Sequence, residues 1–351
     1  TLYWRHMKLR KLTDTWGGKG ATAIVEHGAN PGLVSHLTKK ALFDIATKAI
    51  KDGKAGAGVK EAYESENFPS LAHKLGVKVI HIAERDTQVT DKPKQVNEFV
   101  NTWSVEGFYE EGIAPAELGW GTHEKTLPIN AYQHPDGPKN QICIAQPGAK
   151  TWVRSWVPNM ETTGMVIRHG EAFTISDHLT VWDKDKAVYR PTVHYAYCPT
   201  DAAVASMHEL EMRQWDLTTN QRIMNEEIID GDDRLGVLLM GHAYKSWWTG
   251  SLLNIHDSRK LIPKQSATTV QVASAVYAAV AWAMANPNAG YRVPDDLPWR
   301  EVLAFAEKYW GGYHSAAADW DPLMHRNDLF KGWNNRKYDE SDPWQFSNFL
   351  V

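Results

Sequence analysis

The order of apolar and polar residues predicts a mixed α/β chain. Residues 21–28, ATAIVEHG, form an apolar run bounded by Gly, which predicts a buried strand. After the turn ANPG, apolar residues recur at helical spacing from Leu33 to Ala49, which predicts a helix. Asn30 is suited to cap this helix, with Pro31 in its first turn. The pattern therefore begins as strand, tight turn and helix.

Later segments predict several antiparallel strands and three further helices. Strands are expected within residues 78–87, 97–105, 140–158, 164–170, 178–197 and 236–242, with a DKDK hairpin turn in the fifth of these segments. Helices are expected at residues 201–213, 268–285 and 299–309, and residues 4–11 read as part of another. The aromatic segment 341–351, SDPWQFSNFLV, is expected to dock onto the body of the protein.

Composition narrows the function classes. The 351 residues can bury a sizeable core, and a net charge of −4 argues against a nucleic-acid partner. The two cysteines, Cys143 and Cys198, lie far apart, which favours a reducing, cytoplasmic compartment without a thiolate metal site. The sequence predicts no signal peptide, and the apolar run 272–285 is shorter than the ~20 residues of a membrane span.

Glycine-rich stretches do not predict a nucleotide loop. Neither GGKGAT (17–22) nor GKAGAG (53–58) follows a strand and begins a helix, so both are interpreted as turns or linkers. The sequence contains no zinc signature and no GxSxG elbow.

Residues 101–121, NTWSVEGFYEEGIAPAELGWG, combine acidic and aromatic residues without Lys or Arg. A cationic ligand would supply the missing charge, through a cation–π contact and a charge-assisted hydrogen bond. Trp103, Glu106 and Glu111 are candidates for such a site, although core packing and a solvated face explain them equally well. Glu110 and Glu117 are expected on a solvated face.

Asn30 is expected near the carboxyl end of a strand, where ligands of α/β proteins gather, but a helix cap alone also explains it. Strand alternation places Glu84 and Asp86 on one face, with Arg85 opposite. A surface strand end with a local ion pair is the alternative.

Two more stretches carry candidate chemistry. In MVIRHGEAF, His169 and Glu171 could move protons, or could be structural. In IIDGDDRLG, the acids including Asp233 form either a turn or an anionic slot for an amine.

Seven blocks together, GANPGLVS, HIAERDTQ, VNTWSVEGF, PAELGWGT, LLMGH, NPNAG and SDPWQF, resemble bacterial homospermidine synthases along essentially the whole chain. The wider resemblance is to the saccharopine-dehydrogenase-like group. It implies an α/β fold, here the mixed α+β second domain, without the family's N-terminal NAD-binding Rossmann domain. Because the sequence begins with Thr inside a helical pattern, it is expected to be the later part of a longer protein, inactive by itself.

The resemblance implies three segments: residues 1–20 as the connection from a Rossmann domain, 21–330 as a catalytic and dimerisation domain, and 331–351 as a docking segment. It implies that Glu84 and Glu111 bind substrate ammonium groups, that Trp103 forms the cation–π wall, and that Asp233 anchors an amine. Glu110 is not implied, because the family differs there.

The same resemblance assigns catalytic roles to His169, Glu171 and Asn30, with Asn30 also near the nicotinamide, and no metal. The implied reaction condenses two putrescines, or putrescine with spermidine, to homospermidine, with NAD taking and returning a hydride. The implied assembly is a homodimer without a membrane or nucleic-acid partner. Alternatives are a saccharopine or carboxynorspermidine dehydrogenase, a carbohydrate-active protein, and a non-catalytic polyamine-binding fragment.

Overall fold

The computed structural model describes residues 1–326, 329–330, 333 and 338–351. It confirms a mixed α/β fold, built around a ten-stranded sheet with helices and loops on both faces. Much of the core lies in two clusters of buried residues, which receive alternate side chains of the central strands.

The helices are, in chain order, α1 (Leu2–Asp14), α2 (Leu33–Lys51), α3 (Val59–Glu64), α4 (Phe68–Leu75), α5 (Val105–Ile113), α6 (Glu171–His178), α7 (Asp201–Met212), α8 (Ile255–Leu261), α9 (Ala267–Ala285), α10 (Trp299–Trp310) and α11 (Phe346–Phe349). The helices predicted at 201–213, 268–285 and 299–309 are confirmed within one residue at each end.

The strands are, in chain order, β1 (Gly20–Ile24), β2 (Val79–Asp86), β3 (Val89–Thr90), β4 (Glu98–Asn101), β5 (Pro115–Gly119), β6 (Ala131–Gln133), β7 (Gln141–Pro147), β8 (Trp152–Val157), β9 (Met160–Met165), β10 (Val181–Asp183), β11 (Lys186–Tyr189), β12 (Thr192–Cys198), β13 (Asn220–Ile223), β14 (Ile228–Asp230), β15 (Asp232–His242), β16 (Lys245–Asn254), β17 (Ala289–Arg292) and β18 (His314–Ala318). The predicted DKDK hairpin is the antiparallel pair β10 and β11.

The large sheet runs in the order β18-β16-β15-β2-β12-β5-β7-β6, and β9 joins β8 to β12. The pair β2 and β12 is parallel, and the other pairs of this sheet are antiparallel. Strand β2 is therefore central, with β15 on one side and β12 on the other.

Because β2 is central, alternation divides its side chains between two faces. Ile80 and Ile82 enter the cluster that contains residues of α2 and α10, whereas Val79 and Ala83 enter the opposite cluster. The continuation of the first face carries Glu84 and Asp86 away from the apolar centre to the carboxyl end of the strand. This end of β2 positions the site described below.

The start of α2 differs from the prediction. The strand before it ends at Ile24, and it pairs only with β17. Gly32, not Asn30, is the N-cap residue, and the bond between Asn30 and Pro31 is cis. At φ +134, Gly32 also lies so near the Gly28 carbonyl that a Cβ atom would approach its oxygen to 2.2 Å. Asn30 is thereby released from capping.

Among the described residues, one helix, α9, has the length and apolar composition of a membrane span. Half of its most apolar window is buried, and the helix packs against α10, β15 and β16. Its outer face leaves five large apolar side chains exposed, those of Val272, Val276, Tyr277, Val280 and Met284. The burial of one face is typical of the core helix of a folded domain.

The carboxyl-terminal segment docks against the sheet face opposite α2. Phe346 and Phe349 are fully buried there, and the Phe349 ring lies 4.9 Å from the ring of His81. Within the segment 341–351, which was expected to dock because of its aromatic content, these two rings lie in the core.

Candidate active site

Three buried carboxylates lie together at the end of β2 and β15. Glu84 and Asp86 alternate along β2, and the register places Asp233 of β15 directly opposite Asp86. All three residues are at most 2% exposed. None of them forms an ion pair with Lys or Arg among the described residues. Arg85, which lies between the two acids of β2 in sequence, is on the other face and pairs with Asp201. The three acids therefore form a sheltered cluster of carboxyl groups.

Glu84 receives two hydrogen bonds on a single oxygen. Its Oε2 accepts from Asn30 Nδ2 at 2.8 Å and from the hydroxyl of Tyr195. Its Oε1 has no hydrogen-bond partner among the described residues. Burial raises the pKa of Glu84 to about 7, although the bonds from Tyr195 and Asn30 oppose that rise. Glu84 can therefore hold or release a proton near neutral pH.

Asp86 and Asp233 differ in the number of hydrogen bonds that their carboxylates accept. Asp86 accepts bonds from Thr102 Oγ1 at 2.7 Å and from the backbone and side-chain nitrogens of Gln88 at 2.9 and 3.0 Å. Asp233 accepts from Thr268 Oγ1 at 2.7 Å on Oδ2, and its buried Oδ1 has no partner. Burial, and then the neighbouring Glu84 and Asp86, raise the pKa of Asp233 well above its usual range. An unpaired buried oxygen of this kind is a place for a ligand's donor.

Two tyrosines of β12 extend the site. Tyr195 and Tyr197 project to the same face, and their rings stack at a centroid distance of 5.2 Å. Tyr197 accepts a hydrogen bond from Trp103 Nε1 at 2.8 Å, and the Trp103 ring packs at 5.6 Å from that of Phe108. Burial raises the pKa of both tyrosines well above the usual range, so both hydroxyls are neutral. The result is an aromatic wall beside the acids.

Trp103 reaches this wall because the chain turns just before it. The strand predicted over residues 97–105 ends at Asn101, and Ser104 caps α5 by accepting from the backbone nitrogen of Gly107 at 3.0 Å. Trp103 is thus held between a strand end and a helix start, and it remains half-buried.

A histidine between two carboxylates forms the other part of the site. His169 Nε2 lies 2.9 Å from Oε2 of Glu111 on α5, and Nδ1 lies 3.1 Å from Oε1 of Glu171, the first residue of α6. Burial opposes a charge on the ring, but Glu171 and Glu111 outweigh it and raise the pKa of His169 well above its usual range. His169 is therefore a protonated imidazolium near neutral pH.

Tyr195 connects the two parts. Its hydroxyl donates to Glu84, and its ring lies 4.5 Å from the ring of His169.

Glu171 also has an oxygen without a partner. Burial raises the pKa of Glu171, and its Oε2 is buried without a hydrogen-bond partner among the described residues. Among the described residues, the combined site has five carboxyl groups and one cation, the His169 imidazolium. The acids therefore outnumber the internal cations, and a positively charged ligand would balance the difference.

The fold brings together the seven residues that the sequence singled out, namely Asn30, Glu84, Trp103, Glu111, His169, Glu171 and Asp233. Hydrogen bonds, ring contacts and the strand register connect them, as given above. Glu106 and Glu110 are exposed. Glu110 was expected on a solvated face, whereas Glu106 was a candidate for the cation site. Glu117, expected on a solvated face, is buried and accepts from the backbone nitrogens of Leu2 and Tyr3.

Sequence reasoning did not single out Tyr195, Tyr197 and Thr268. The alternation in TVHYAYC places both tyrosines on one face, but aromatic residues in a central strand usually indicate core packing. Thr268 gave no signal, because a Thr at the start of a helix is ordinary.

Known proteins are similar to this chain in sequence over nearly its whole length. The chain is 48% identical over 335 residues to homospermidine synthase from Blastochloris viridis. The matching region covers 95% of this chain and 68% of that protein. The chain belongs to the homospermidine synthase family. A second homospermidine synthase, from Mesorhizobium japonicum, is 45% identical over 350 residues, which covers 99% of this chain and 70% of that protein. The family predicted from the sequence blocks is confirmed.

Structural comparison gives the same family. The crystal structure of homospermidine synthase from Legionella pneumophila in complex with NAD matches with a TM-score of 0.86 at 41% identity, over 94% of this chain and 70% of that one. Residues 28–310 also match the model of the saccharopine dehydrogenase C-terminal domain. The predicted fold class and the NAD-dependent enzyme class of the homospermidine synthase family are thereby supported at the level of the whole chain.

Proposed function

We propose that the chain carries the amine site of an enzyme that condenses two putrescines, or putrescine with spermidine, to homospermidine, releasing ammonia or a diamine. The observation that carries the proposal is the group Glu84, Asp86 and Asp233, which is buried without a Lys or Arg partner among the described residues. A diamine is doubly charged near neutral pH, and its ammonium groups would replace the missing cations. The half-buried Trp103 ring adds a cation–π contact worth ~0.5–2 kcal/mol.

We assign the binding of ammonium groups to Glu84, Glu111 and Asp233. Each has a reason to meet a cation: Glu84 has an oxygen without a partner among the described residues, and Asp233 has a buried one. Glu111 is more exposed, with its side chain at 28%, so it suits the entrance of the pocket.

Glu84 is the proposed proton acceptor. The amine to be oxidised must lose a proton first, and a carboxyl with a pKa of about 7 exchanges protons at neutral pH. His169 is less suited to accept, because Glu111 and Glu171 already keep its ring protonated. We propose instead that the His169 imidazolium donates a proton to the departing amine, with Glu171 orienting the ring.

The residues present fit the nicotinamide end of NAD in one respect. The Asn30 amide donates to Glu84, and its oxygen has no hydrogen-bond partner among the described residues. It therefore leaves an acceptor beside the amine site for a donor such as a carboxamide. When bound, NAD supplies the acceptor and later the donor of the hydride. We propose that the dinucleotide fingerprint lies outside these 351 residues, which contain no strand–GxGxxG–helix unit.

The proposed reaction has a product signature that separates it from a dehydrogenase. Incubation of the NAD-loaded enzyme with putrescine should give homospermidine and ammonia in equal amounts, with no net accumulation of NADH. Net NADH formation without homospermidine would instead indicate a simple amine oxidoreductase. A saccharopine-type substrate carries carboxylates, and the site residues described here offer these no arginine.

The proposed homodimer stays a prediction, since the structure describes a single chain. Light scattering of the NAD-loaded enzyme would give the mass directly, and a monomer mass would contradict it.

A further inference from the structure

Asp233 has a conspicuous deficit of hydrogen bonds for a fully buried carboxylate. Among the described residues, the Thr268 hydroxyl is the single donor to its side chain, at 2.7 Å from Oδ2. The other oxygen, Oδ1, is buried with no partner. Gln271 contacts the same residue, but its Nε2 donates to the Asp233 backbone oxygen, at 2.9 Å. The orientation of this carboxylate therefore depends on one hydroxyl.

The Thr268 hydroxyl has one proton, and its contacts favour Asp233 as the acceptor. Gln88 Nε2 donates to Thr268 Oγ1 at 3.1 Å, so the hydroxyl accepts from one side and donates to the other. Of its two acidic neighbours, Asp233 Oδ2 is nearer, at 2.7 Å, and Asp86 Oδ2 lies at 3.3 Å. Asp86 already has donors in Thr102 and Gln88. The geometry therefore assigns the single proton to Asp233.

The backbone holds Thr268 firmly in this position. It is the second residue of α9, whose N-cap residue Ser266 accepts from the Thr269 backbone nitrogen at 3.1 Å. The backbone nitrogen of Ala267 donates to Gln88 Oε1 at 2.9 Å, which ties the helix start to the segment after β2. Because contacts with α9 and with Gln88 hold Thr268 in place, its hydroxyl can hold the Asp233 carboxylate in one orientation.

We propose that Thr268 is a positioning residue of the amine site, which turns the Asp233 carboxylate so that its unpartnered oxygen meets a substrate ammonium. The inference rests on the proposed function, because it takes Asp233 as an amine anchor. Thr268 itself does not touch the reacting atoms; it acts through Asp233. Without its hydroxyl, the carboxylate loses its one internal donor and can rotate or remain protonated.

Kinetics of three variants of the NAD-loaded enzyme test the proposal. Thr268→Val keeps the shape but removes the hydroxyl, and it should raise the KM for putrescine about tenfold or more, because a buried bond to a charged group is lost. Thr268→Ser should restore the parent KM to within about twofold. Thr269→Val, one residue along, removes a hydroxyl that contacts Ser266 and should leave the KM unchanged. A parent-like KM in Thr268→Val, or a loss confined to kcat, overturns the proposal.

A double-mutant cycle with Asp233→Asn tests whether Thr268 acts through Asp233. In the Asp233→Asn background, Thr268→Val should change the KM less than about twofold. Full additivity of the two losses would overturn the inference, and so would a parent-like KM in Asp233→Asn itself.

A readout independent of turnover separates this inference from the proposed reaction. Crystal structures of the parent and Thr268→Val enzymes should show the Asp233 carboxylate in different rotamers or disordered in the variant. An unchanged rotamer overturns the positioning role even if putrescine is the substrate. A changed rotamer in an enzyme that makes no homospermidine supports the positioning role and contradicts the reaction alone.

Discussion

Glu84→Gln gives a quantitative test of how costly the buried acids are without a cation. The amide has the shape of the carboxyl, and its oxygen can still accept from Asn30 Nδ2 and the Tyr195 hydroxyl. Burial raises the pKa of Glu84 from an ordinary value of 4.5 to about 7. Since one pKa unit corresponds to 1.36 kcal/mol, the ionised residue costs the folded state about 3 kcal/mol.

The sign of the effect follows from linkage. A carboxyl whose pKa is raised by folding binds its proton more tightly in the folded state, so its stabilising contribution is complete below pH 4.5. That contribution is lost as the pH rises through about 7. The parent should therefore lose about 3 kcal/mol of unfolding free energy relative to Glu84→Gln between pH 4.5 and pH 8.

The assay is urea unfolding at closely spaced pH values, with NAD present and with or without putrescine. Putrescine should stabilise the parent more at pH 8 than at pH 5.5, and this difference should shrink in Glu84→Gln. Glu110→Gln, an exposed acid from the same acidic stretch, is the matched control and should follow the parent. Identical pH slopes for the parent and Glu84→Gln would refute the reasoning, because they would mean that ionised Glu84 has an internal counter-charge.

Three further substitutions probe two other site residues and the packing of α6, the helix that begins at Glu171. Trp103→Ala should raise the KM for putrescine by about 2- to 30-fold through loss of a cation–π contact worth ~0.5–2 kcal/mol, with the melting temperature changed much less; steady-state kinetics and calorimetry measure both. His169→Gln should lower kcat, and it should destabilise the protein most below pH 6.5. The pKa of His169 is raised in the folded state, so the stabilising contribution of its ion pair with Glu171 is complete below pH 6.5 and is lost as the pH rises through the folded-state pKa. Urea unfolding at several pH values measures this change. Gly119→Ala should cost about 1–3 kcal/mol in unfolding free energy, because a Cβ atom would lie 2.3 Å from a backbone oxygen of α6; urea unfolding measures the loss.

Each of these substitutions has a control on the same chain. Trp182→Ala and His208→Gln change exposed residues outside the site and should be neutral. Gly56→Ala adds a Cβ atom that meets nothing within 4 Å, so it should not destabilise the protein. Equal losses of melting temperature and activity in Trp103→Ala would mean that the ring is only core, and a pH-independent loss in His169→Gln would argue against its ion pairs. A parent-like stability of Gly119→Ala would show that α6 shifts freely.

The sequence predicted what depends on local periodicity. Alternation along β2 was enough to place Glu84 and Asp86 on one face with Arg85 opposite, because a strand has a side-chain period of two. The helix over residues 268–285 was likewise predictable from its composition. The acidic and aromatic content of residues 101–121 pointed to Trp103, Glu106 and Glu111 as candidates for a cationic-ligand site. Glu106 is exposed, and the roles of Trp103 and Glu111 stay proposals.

Contacts set by register and distant packing were beyond local patterns. Asp233 opposes Asp86 only because β15 pairs with β2 in one register, which no short-range signal specifies. Glu117 was expected to be solvated, yet the first backbone nitrogens of α1, 115 residues away for Leu2, reach its carboxylate. Asn30 looked like a helix cap, and a tertiary bond to Glu84 uses its amide instead.

Glu84, Asp86 and Asp233 are buried without a Lys or Arg partner among the described residues, and we propose that they bind a doubly positive ligand. Calorimetric titration of the NAD-loaded enzyme at pH 8 with putrescine, and with uncharged 1,4-butanediol of the same chain length, tests it most directly. We expect putrescine to bind, with an affinity that falls as salt is added, and butanediol to produce no binding heat. Equal affinity for the two compounds would contradict the claim.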